Sequence, residues 1–242
     1  MTITYFATFR HDGVVSADDL QWLARMLAAT PGLARGLIYT PTQTHDPYLD
    51  DGCPPALALQ LYFPDIAPLE AALAPEGHLQ ALAAADALPS LRGAAVTQQA
   101  MLARAFPVPD AQSGTASGEP TCAYLVTYEG PARDPNAWIA HYVAHHTTIM
   151  ARFPGIRAVE VCTRIDWCGF LPWPRVDAML RNKVVFDDAD ALTAALNSPV
   201  RHDMRADFQH FPAFTGTLTH FPMAVINLAR EAGEVEVREH RG

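Results

Sequence analysis

The sequence has few cysteines and no cluster of basic residues, and each absence excludes a class of protein. Its four cysteines, Cys53, Cys122, Cys162 and Cys168, show no CxxC spacing, so neither a disulfide framework nor a zinc knuckle is predicted. The chain has 17 basic against 26 acidic residues, a formal net charge of -9 and no Lys/Arg run. Because nucleic-acid binding needs a clustered basic face, we expect no nucleic-acid partner.

Long apolar runs and familiar catalytic motifs are also missing. No stretch approaches the roughly 18 uninterrupted apolar residues of a membrane span, and the N-terminus lacks the basic start of a signal peptide. We therefore expect a cytoplasmic protein with no membrane partner. Without GxSxG, GxGxxG, Walker or HExxH motifs, serine hydrolase, nucleotide-binding and zincin interpretations have no support.

What the sequence does contain is an internal repeat. Pro31-Gly32 recurs as Pro154-Gly155, a shift of 154 - 31 = 123 positions. The same shift relates further pairs without a gap: Phe63 and Phe186, Asp65 and Asp188, Leu69 and Leu192, Leu73 and Leu196, Pro89 and Pro212, Gly93 and Gly216. The first strands align at a shift of 119 instead, which makes the first helix of the second copy about one turn longer.

Each copy predicts the order β-α-β-β-α-β, which is typical of an α+β ferredoxin-like unit. Such a unit carries both helices on one face of its antiparallel sheet, and the other face needs a partner. With 242 residues, half of them hydrophobic, the chain is long enough for two such cores. We therefore predict two tandem ferredoxin-like βαββαβ units whose sheets pack as an intramolecular α-β barrel. The predicted boundaries are 1–106 for the first unit, 107–121 for a linker, 122–229 for the second unit and 230–242 for a charged tail.

The segment Trp138–Gly155 resembles the first helix of EthD-like proteins, members of the dimeric α-β barrel group. Its aromatic start, its Tyr142 and histidines, and the Pro-Gly before the second strand carry the resemblance. The second half matches well, and the first half matches only weakly, through the repeat. The resemblance implies a barrel formed by two ferredoxin-like units, here within one chain. Relatives in this group include isomerases, cofactor-free monooxygenases, decarboxylases, dehydratase-like enzymes, stress proteins and some haem-binding proteins.

His146 is the leading catalytic candidate. It lies in the apolar stripe of that helix, where burial favours a neutral imidazole suited to general base catalysis. The shift of 123 places Leu23 at the corresponding position of the first copy, so we expect a site-bearing second unit and a degenerate first unit that acts as scaffold. The alternative is that His146 only satisfies a buried backbone carbonyl. Which of His145 and His146 faces the pocket is left open.

His141 and His145 stand four residues apart, as helix-borne metal ligands do. No Asp or Glu lies between Asn136 and Glu160, so we expect no metal site there. The acidic loop Thr44–Cys53 lacks the DxDxDG spacing and suggests calcium only weakly.

The loop Arg164–Arg175 combines aromatic and ionisable side chains, as small-molecule pockets do. Asp166 is expected to orient a histidine or to act as an acid or base itself. The expected substrate-binding residues are Trp138, Tyr142, Arg164, Trp167, Trp173, Arg175 and Asn182. The alternative is that the aromatic residues seal the ends of the barrel.

Together these features favour a cofactor-independent enzyme of isomerase, dehydratase, decarboxylase or monooxygenase type. Its substrate is expected to be a small, hydrophobic, oxygenated compound, aromatic or polyketide-like, from catabolism, and the lyase and isomerase classes are preferred. One alternative is a non-catalytic binding or stress protein, and a weaker one is a haem-associated barrel protein. The sequence specifies neither the substrate nor the reaction, and it leaves monomer and homodimer open.

Overall fold

The computed structural model describes residues 2–44, 46–109 and 121–229. Most of the predicted linker, 110–120, and the predicted tail, 230–242, lie outside the described residues.

The two halves contain the same elements in the same order. The first half comprises β1 (Thr2–Arg10), α1 (Ala17–Ala28), β2 (Arg35–Pro41), β3 (Leu57–Phe63), α2 (Ile66–Leu73), two 3₁₀ segments (His78–Ala83 and Pro89–Leu91) and β4 (Ala95–Phe106). The second half comprises β5 (Cys122–Glu129), α3 (Pro135–His141), a π-helical segment (Tyr142–His146), α4 (Thr147–Met150), β6 (Ala158–Arg164), β7 (Ala178–Phe186), α5 (Ala189–Leu196), α6 (Pro199–Phe208) and β8 (Thr217–Ala229).

Element bounds repeat with the spacing found in the sequence. Strand β6 begins 158 - 35 = 123 positions after β2, and helix α5 begins 189 - 66 = 123 positions after α2. Local signals explain the starts of the second helices: Asp65 caps α2 and Asp188 caps α5, each accepting a hydrogen bond from a backbone N–H of the first turn.

All eight strands form one closed antiparallel barrel in the order β1-β3-β2-β8-β5-β7-β6-β4. Each half contributes a four-stranded sheet, and the sheets join edge to edge through β2–β8 and β4–β6. The predicted α+β barrel is therefore confirmed. Closure leaves these eight strands without the free sheet edge that could pair two chains. No helix in the described part of the chain is long and apolar enough to cross a membrane.

The pleat divides the side chains between the barrel lumen and two outer helical layers. On β7, Lys183 lies in the lumen, whereas its neighbour Asn182 contacts Tyr142 in the outer layer. One outer core packs α1 and α2 against the first sheet, and a second packs α3 to α6 against the other sheet.

Loops between the second and third strands of each half cross to the opposite half. Asp46, from the first half, accepts hydrogen bonds from Tyr124 and Arg201 of the second half. Trp167, from the second half, packs edge-on against Tyr5 of the first half. The space between sheet and helices in each half is thus covered by a loop from the other.

Candidate functional site

A cavity of about 310 Å³ lies between the second sheet and its helices, a size at the lower end of typical small-molecule sites. Apolar side chains form most of its wall: Leu49, Val126, Met150, Phe153, Val184, Leu196, Met204, Phe208 and Leu218. Polar groups interrupt this wall at Tyr124, Tyr128, His146, Asn182, Arg201, Arg205, Gln209 and His220. Such a cavity suits a mainly apolar molecule with a few oxygen atoms.

Of the two adjacent histidines, His146 is the one that reaches the cavity. It is 5% exposed and lines the cavity, whereas His145 is exposed to solvent. The π-helical segment Tyr142–His146 ends at His146, so the helix is wider than an α-helix at this turn. Tyr142 and His146 both face inward, and the centroids of their rings are 4.9 Å apart.

Asp207, on α6, holds His146 from behind. Its Oδ2 lies 2.7 Å from Nδ1 of His146, and its Oδ1 lies 3.1 Å from Nε2 of His141. Because an ionised carboxylate only accepts hydrogen bonds, Nδ1 of neutral His146 carries the proton. Nε2 is then the acceptor, and it has no hydrogen-bond partner among the described residues.

Burial lowers the pKa of His146 from 6.5 to about 4, although the hydrogen bond to Asp207 and its charge act in the opposite direction. His146 is therefore neutral at pH 7, with the lone pair of Nε2 available to accept a proton. A histidine held by a carboxylate is the arrangement that general bases use in many enzymes.

This pKa predicts how the stability of the protein depends on pH. The unfolded state binds more protons than the folded state between the folded pKa of about 4 and 6.5, so stability is lost as the pH falls through this window. Over the whole window the loss in the free energy of unfolding amounts to roughly 3 kcal/mol. We expect urea unfolding to show a flatter dependence on pH for His146→Gln than for the wild type. Some dependence should remain, because burial also lowers the pKa of His220.

The matched control is His145→Gln, since His145 is the exposed neighbour. It should retain the wild-type slope. A His146→Gln protein with an unchanged slope would contradict the assigned burial of His146.

A second polar group in the cavity centres on Arg201, which is 8% exposed. Its Nη2 lies 2.8 Å from Oδ2 of Asp46, and the Tyr124 hydroxyl donates to the same oxygen over 2.7 Å. Nearby, Nδ1 of His220 lies 2.8 Å from Oδ2 of Asp51. The acidic loop of the first half thus supplies counter-charges to cationic and histidine side chains of the second half.

Trp138, Tyr142 and Asn182 lie in the same layer as His146. The rings of Trp138 and Tyr142 stack with their centroids 5.3 Å apart, and Nδ2 of Asn182 donates to the Tyr142 hydroxyl. Asn182 lines the cavity. Trp138 is fully buried and packs on Tyr128 with centroids 4.7 Å apart, so it supports the cavity wall.

The other residues predicted for the site lie elsewhere. Asp166 is exposed, and Arg164 pairs with Asp177 at the surface. Trp173 packs against Phe9 of the first half, and the Arg175 guanidinium lies 3.9 Å from the centroid of the Trp167 ring.

These residues are separated from His146 because the β6–β7 loop crosses the β4–β6 seam. Gln98 of β4 fixes the loop, with its side-chain amide donating to the carbonyl groups of Leu171 and Trp173. Trp167 and Leu171 become part of the apolar core of the first half. The aromatic side chains thus pack in the outer core of the first half, which neither the pocket hypothesis nor the sealing alternative predicted.

Trp167 is accordingly expected to contribute to stability. Trp167→Ala removes a ring that is 8% exposed and should lower the free energy of unfolding by about 3–5 kcal/mol, as is usual for a buried aromatic residue. Phe170→Ala is the control, since Phe170 lies in the same loop and is 63% exposed. Denaturant unfolding checks both; equal, small losses would show that Trp167 is not part of the core.

Sequence reasoning missed Asp207, Arg201 and Asp46. A signal for two of them was available: Arg201, Met204 and Phe208 follow the spacing of one helical face and all line the cavity, and Asp207 adjoins that face. Asp46 belongs to another unit of the barrel, and no local pattern identifies such a contact. In the part of the chain that the structure describes, no group of three or more His, Cys, Asp or Glu side chains is arranged to hold a metal ion.

No family model matches the sequence, and no curated protein matches it significantly. Solved structures do resemble the fold. An anthrone oxidase-like protein is 13% identical with a TM-score of 0.61, over 95% of this chain and 93% of that chain. A candidate monooxygenase from Fusobacterium nucleatum is 10% identical with a TM-score of 0.52, over 93% of this chain and 91% of that chain. An EthD family protein from Bacillus halodurans is 24% identical over 41% of this chain and 96% of that chain, with a TM-score of 0.32. At these identities the likeness to the first two shows that the chain shares their α-β barrel fold.

Proposed function

We propose that this protein is an enzyme that removes a proton from a small, largely apolar, oxygenated substrate, with His146 as the general base. One observation carries the proposal: Asp207 binds Nδ1 of His146 over 2.7 Å, which leaves Nε2 unpartnered among the described residues at the wall of an apolar cavity. The proposal retains two expectations from the sequence: the enzyme works without an organic cofactor, and the protein is related to the EthD-like family.

Charges develop at two places when Nε2 accepts the proton. The imidazolium forms next to the carboxylate of Asp207, so a neutral hydrogen bond becomes a charge-assisted one. The electron pair left on the substrate becomes an enolate or phenolate oxyanion. Arg201 lines the same cavity, and its guanidinium group is suited to stabilise that oxyanion.

The low pKa of His146, about 4, restricts the choice of substrate. A weak base removes a substrate proton efficiently only when neighbouring groups make that proton acidic. The favoured position is therefore a C–H group next to a carbonyl or flanked by aromatic rings, or a phenolic hydroxyl. Isomerisation, dehydration and cofactor-free oxygenation can each proceed from the resulting anion, so this step is common to three of the reaction types expected from the sequence; in a decarboxylation the anion forms by loss of CO₂ instead.

Anthrone is the probe that we select, because it carries an acidified methylene group between two rings and because a protein with a related fold is called anthrone oxidase-like. The experiment follows exchange of the methylene protons in D₂O by NMR under nitrogen. We expect faster exchange with native protein than with heat-denatured protein at the same concentration. Binding without exchange would favour the non-catalytic binding interpretation instead.

Oxygen consumption is measured separately, after air is admitted. Exchange accompanied by oxygen uptake would assign the monooxygenase type. Exchange without uptake would favour the isomerase or lyase types. If the protein neither binds anthrone nor speeds its exchange, aromatic ketones of this size are excluded from the proposed substrate class.

A further inference from the structure

A second cavity, of about 320 Å³, lies inside the barrel. Val126 and Asn182 border both cavities, so the β5–β7 strands form the wall between them. We propose that the barrel lumen is a separate binding site for a small aromatic monocarboxylate, whose carboxylate pairs with Arg181. This site is independent of the activity proposed for His146.

The lumen contains a buried ion pair that is already satisfied. Nζ of Lys183 lies 3.1 Å from Oε1 of Glu160 and 2.9 Å from Oε1 of Gln60, and it also contacts the Tyr62 hydroxyl. Glu160 in turn accepts hydrogen bonds from Gln60 over 2.7 Å and from Tyr62 over 2.8 Å. The charges of Lys183 and Glu160 therefore cancel, and neither side chain needs a ligand.

Arg181 lines the same lumen and lacks such a partner. Among the described residues its side chain forms no hydrogen bond or ion pair, and its Nε is buried without a hydrogen-bond acceptor. Burial lowers the pKa of Arg181 to about 10, so the guanidinium remains charged at neutral pH. Buried charges in proteins are normally paired, and an anion entering this cavity would complete the pair.

The surroundings of Arg181 favour a single negative charge. Because the charges of Lys183 and Glu160 already cancel, a dianion such as phosphate would bring a second negative charge into the lumen without a partner. The exposed residues Arg10 and Glu129 also border the cavity, and their charges cancel. One unpaired cation therefore remains, and a planar carboxylate matches the geometry of a guanidinium group.

Apolar and hydroxyl groups complete the site and favour an aromatic ligand. Phe6 lies against Arg181, with the guanidinium 4.7 Å from the ring centroid. Phe6, Leu125 and Phe221 offer surfaces for a ring, and threonine hydroxyls lie around them at Thr8, Thr97, Thr127, Thr217 and Thr219. Benzoate is the simplest molecule with this combination.

Calorimetry with benzoate tests the proposal, and benzyl alcohol serves as the uncharged control with the same ring. We expect benzoate to bind at least tenfold more tightly than benzyl alcohol or inorganic phosphate. Arg181→Met should weaken benzoate binding by roughly 10- to 100-fold, the range of a charge-assisted hydrogen bond. Binding should be unchanged in His146→Gln and Arg201→Gln, which alter the other cavity.

A second measurement does not depend on a variant. The NMR signal of the Arg181 side-chain Nε–H group should shift when benzoate is added to the wild-type protein. The proposal is overturned if benzoate does not bind, if Arg181→Met binds it as tightly as the wild type, or if Arg201→Gln abolishes binding. Equal affinity for phosphate and benzoate would overturn the assignment of the ligand as a monocarboxylate.

Discussion

His146→Gln is expected to slow proton removal from anthrone by about 10²- to 10⁴-fold, the usual contribution of a general base. Glutamine keeps much of the volume and polarity of histidine but offers no basic nitrogen. His145→Gln is the matched control, because the neighbouring imidazole is exposed to solvent. This variant should leave the exchange rate within about twofold of the wild type, since His145 does not line the cavity.

Asp207→Asn tests the same assignment from the other side of the ring. The asparagine amide can donate to Nδ1, which favours the tautomer with its proton on Nε2 and removes the base from the cavity. The exchange rate should therefore fall although His146 is still present. Wild-type rates in both His146→Gln and Asp207→Asn would show that another group removes the proton.

Lys183→Met is expected to lower the free energy of unfolding by about 3–5 kcal/mol, because it leaves Glu160 charged, buried and without its cation. Burial is the largest single effect on the Glu160 pKa and raises it, but Lys183 and the hydrogen bonds from Tyr62 and Gln60 together outweigh burial and hold the pKa below its usual value. Removal of Lys183 eliminates the largest of these favourable effects. Urea unfolding at pH 7 measures the loss.

Two further variants make this prediction specific. Arg152→Met breaks the pair between Arg152 and Asp203, whose side chains are each 54% exposed, and should cost less than about 1 kcal/mol. The double variant Glu160→Leu, Lys183→Met removes both charges and should recover much of the stability lost in Lys183→Met. A Lys183→Met protein as stable as the Arg152→Met protein would contradict the buried pair.

The fold was predictable because the same pattern of elements occurs twice in the sequence. Pro31-Gly32 and Pro154-Gly155 end the first helix of each half, and the spacing of 123 between them recurs in the strand and helix bounds. A single ferredoxin-like sheet leaves one face uncovered, so two copies in one chain favour closure.

The site was predictable only in part. His146 stands out because a polar residue interrupts an apolar helical stripe and the first copy has Leu23 at the corresponding position. Its partner Asp207 could not be predicted from the pattern of the histidine's own helix, because this carboxylate comes from α6. Helical periodicity shows on which face of its helix a residue lies, but which element packs against that face depends on the tertiary structure.

Loop positions were least accessible from sequence. The aromatic composition of Arg164–Arg175 suggested a pocket wall next to His146, yet strand pairing between β4 and β6 directs this loop to the first half. The same geometry brings Asp46 and Asp51 to Arg201 and His220. Composition thus indicated that these loops pack onto other elements, and barrel closure decided which half each loop covers.

The most direct measurement of the central claim is the protonation state of His146 by nitrogen NMR of its imidazole ring, with His146→Gln used to assign the signal. We predict a neutral ring at pH 7 with its proton on Nδ1, and a pKa near 4. A proton on Nε2 at pH 7 would show that His146 does not present a free basic nitrogen to the cavity and would contradict its role as the base, whereas titration near the ordinary value of about 6.5 would contradict only the assigned burial of the ring.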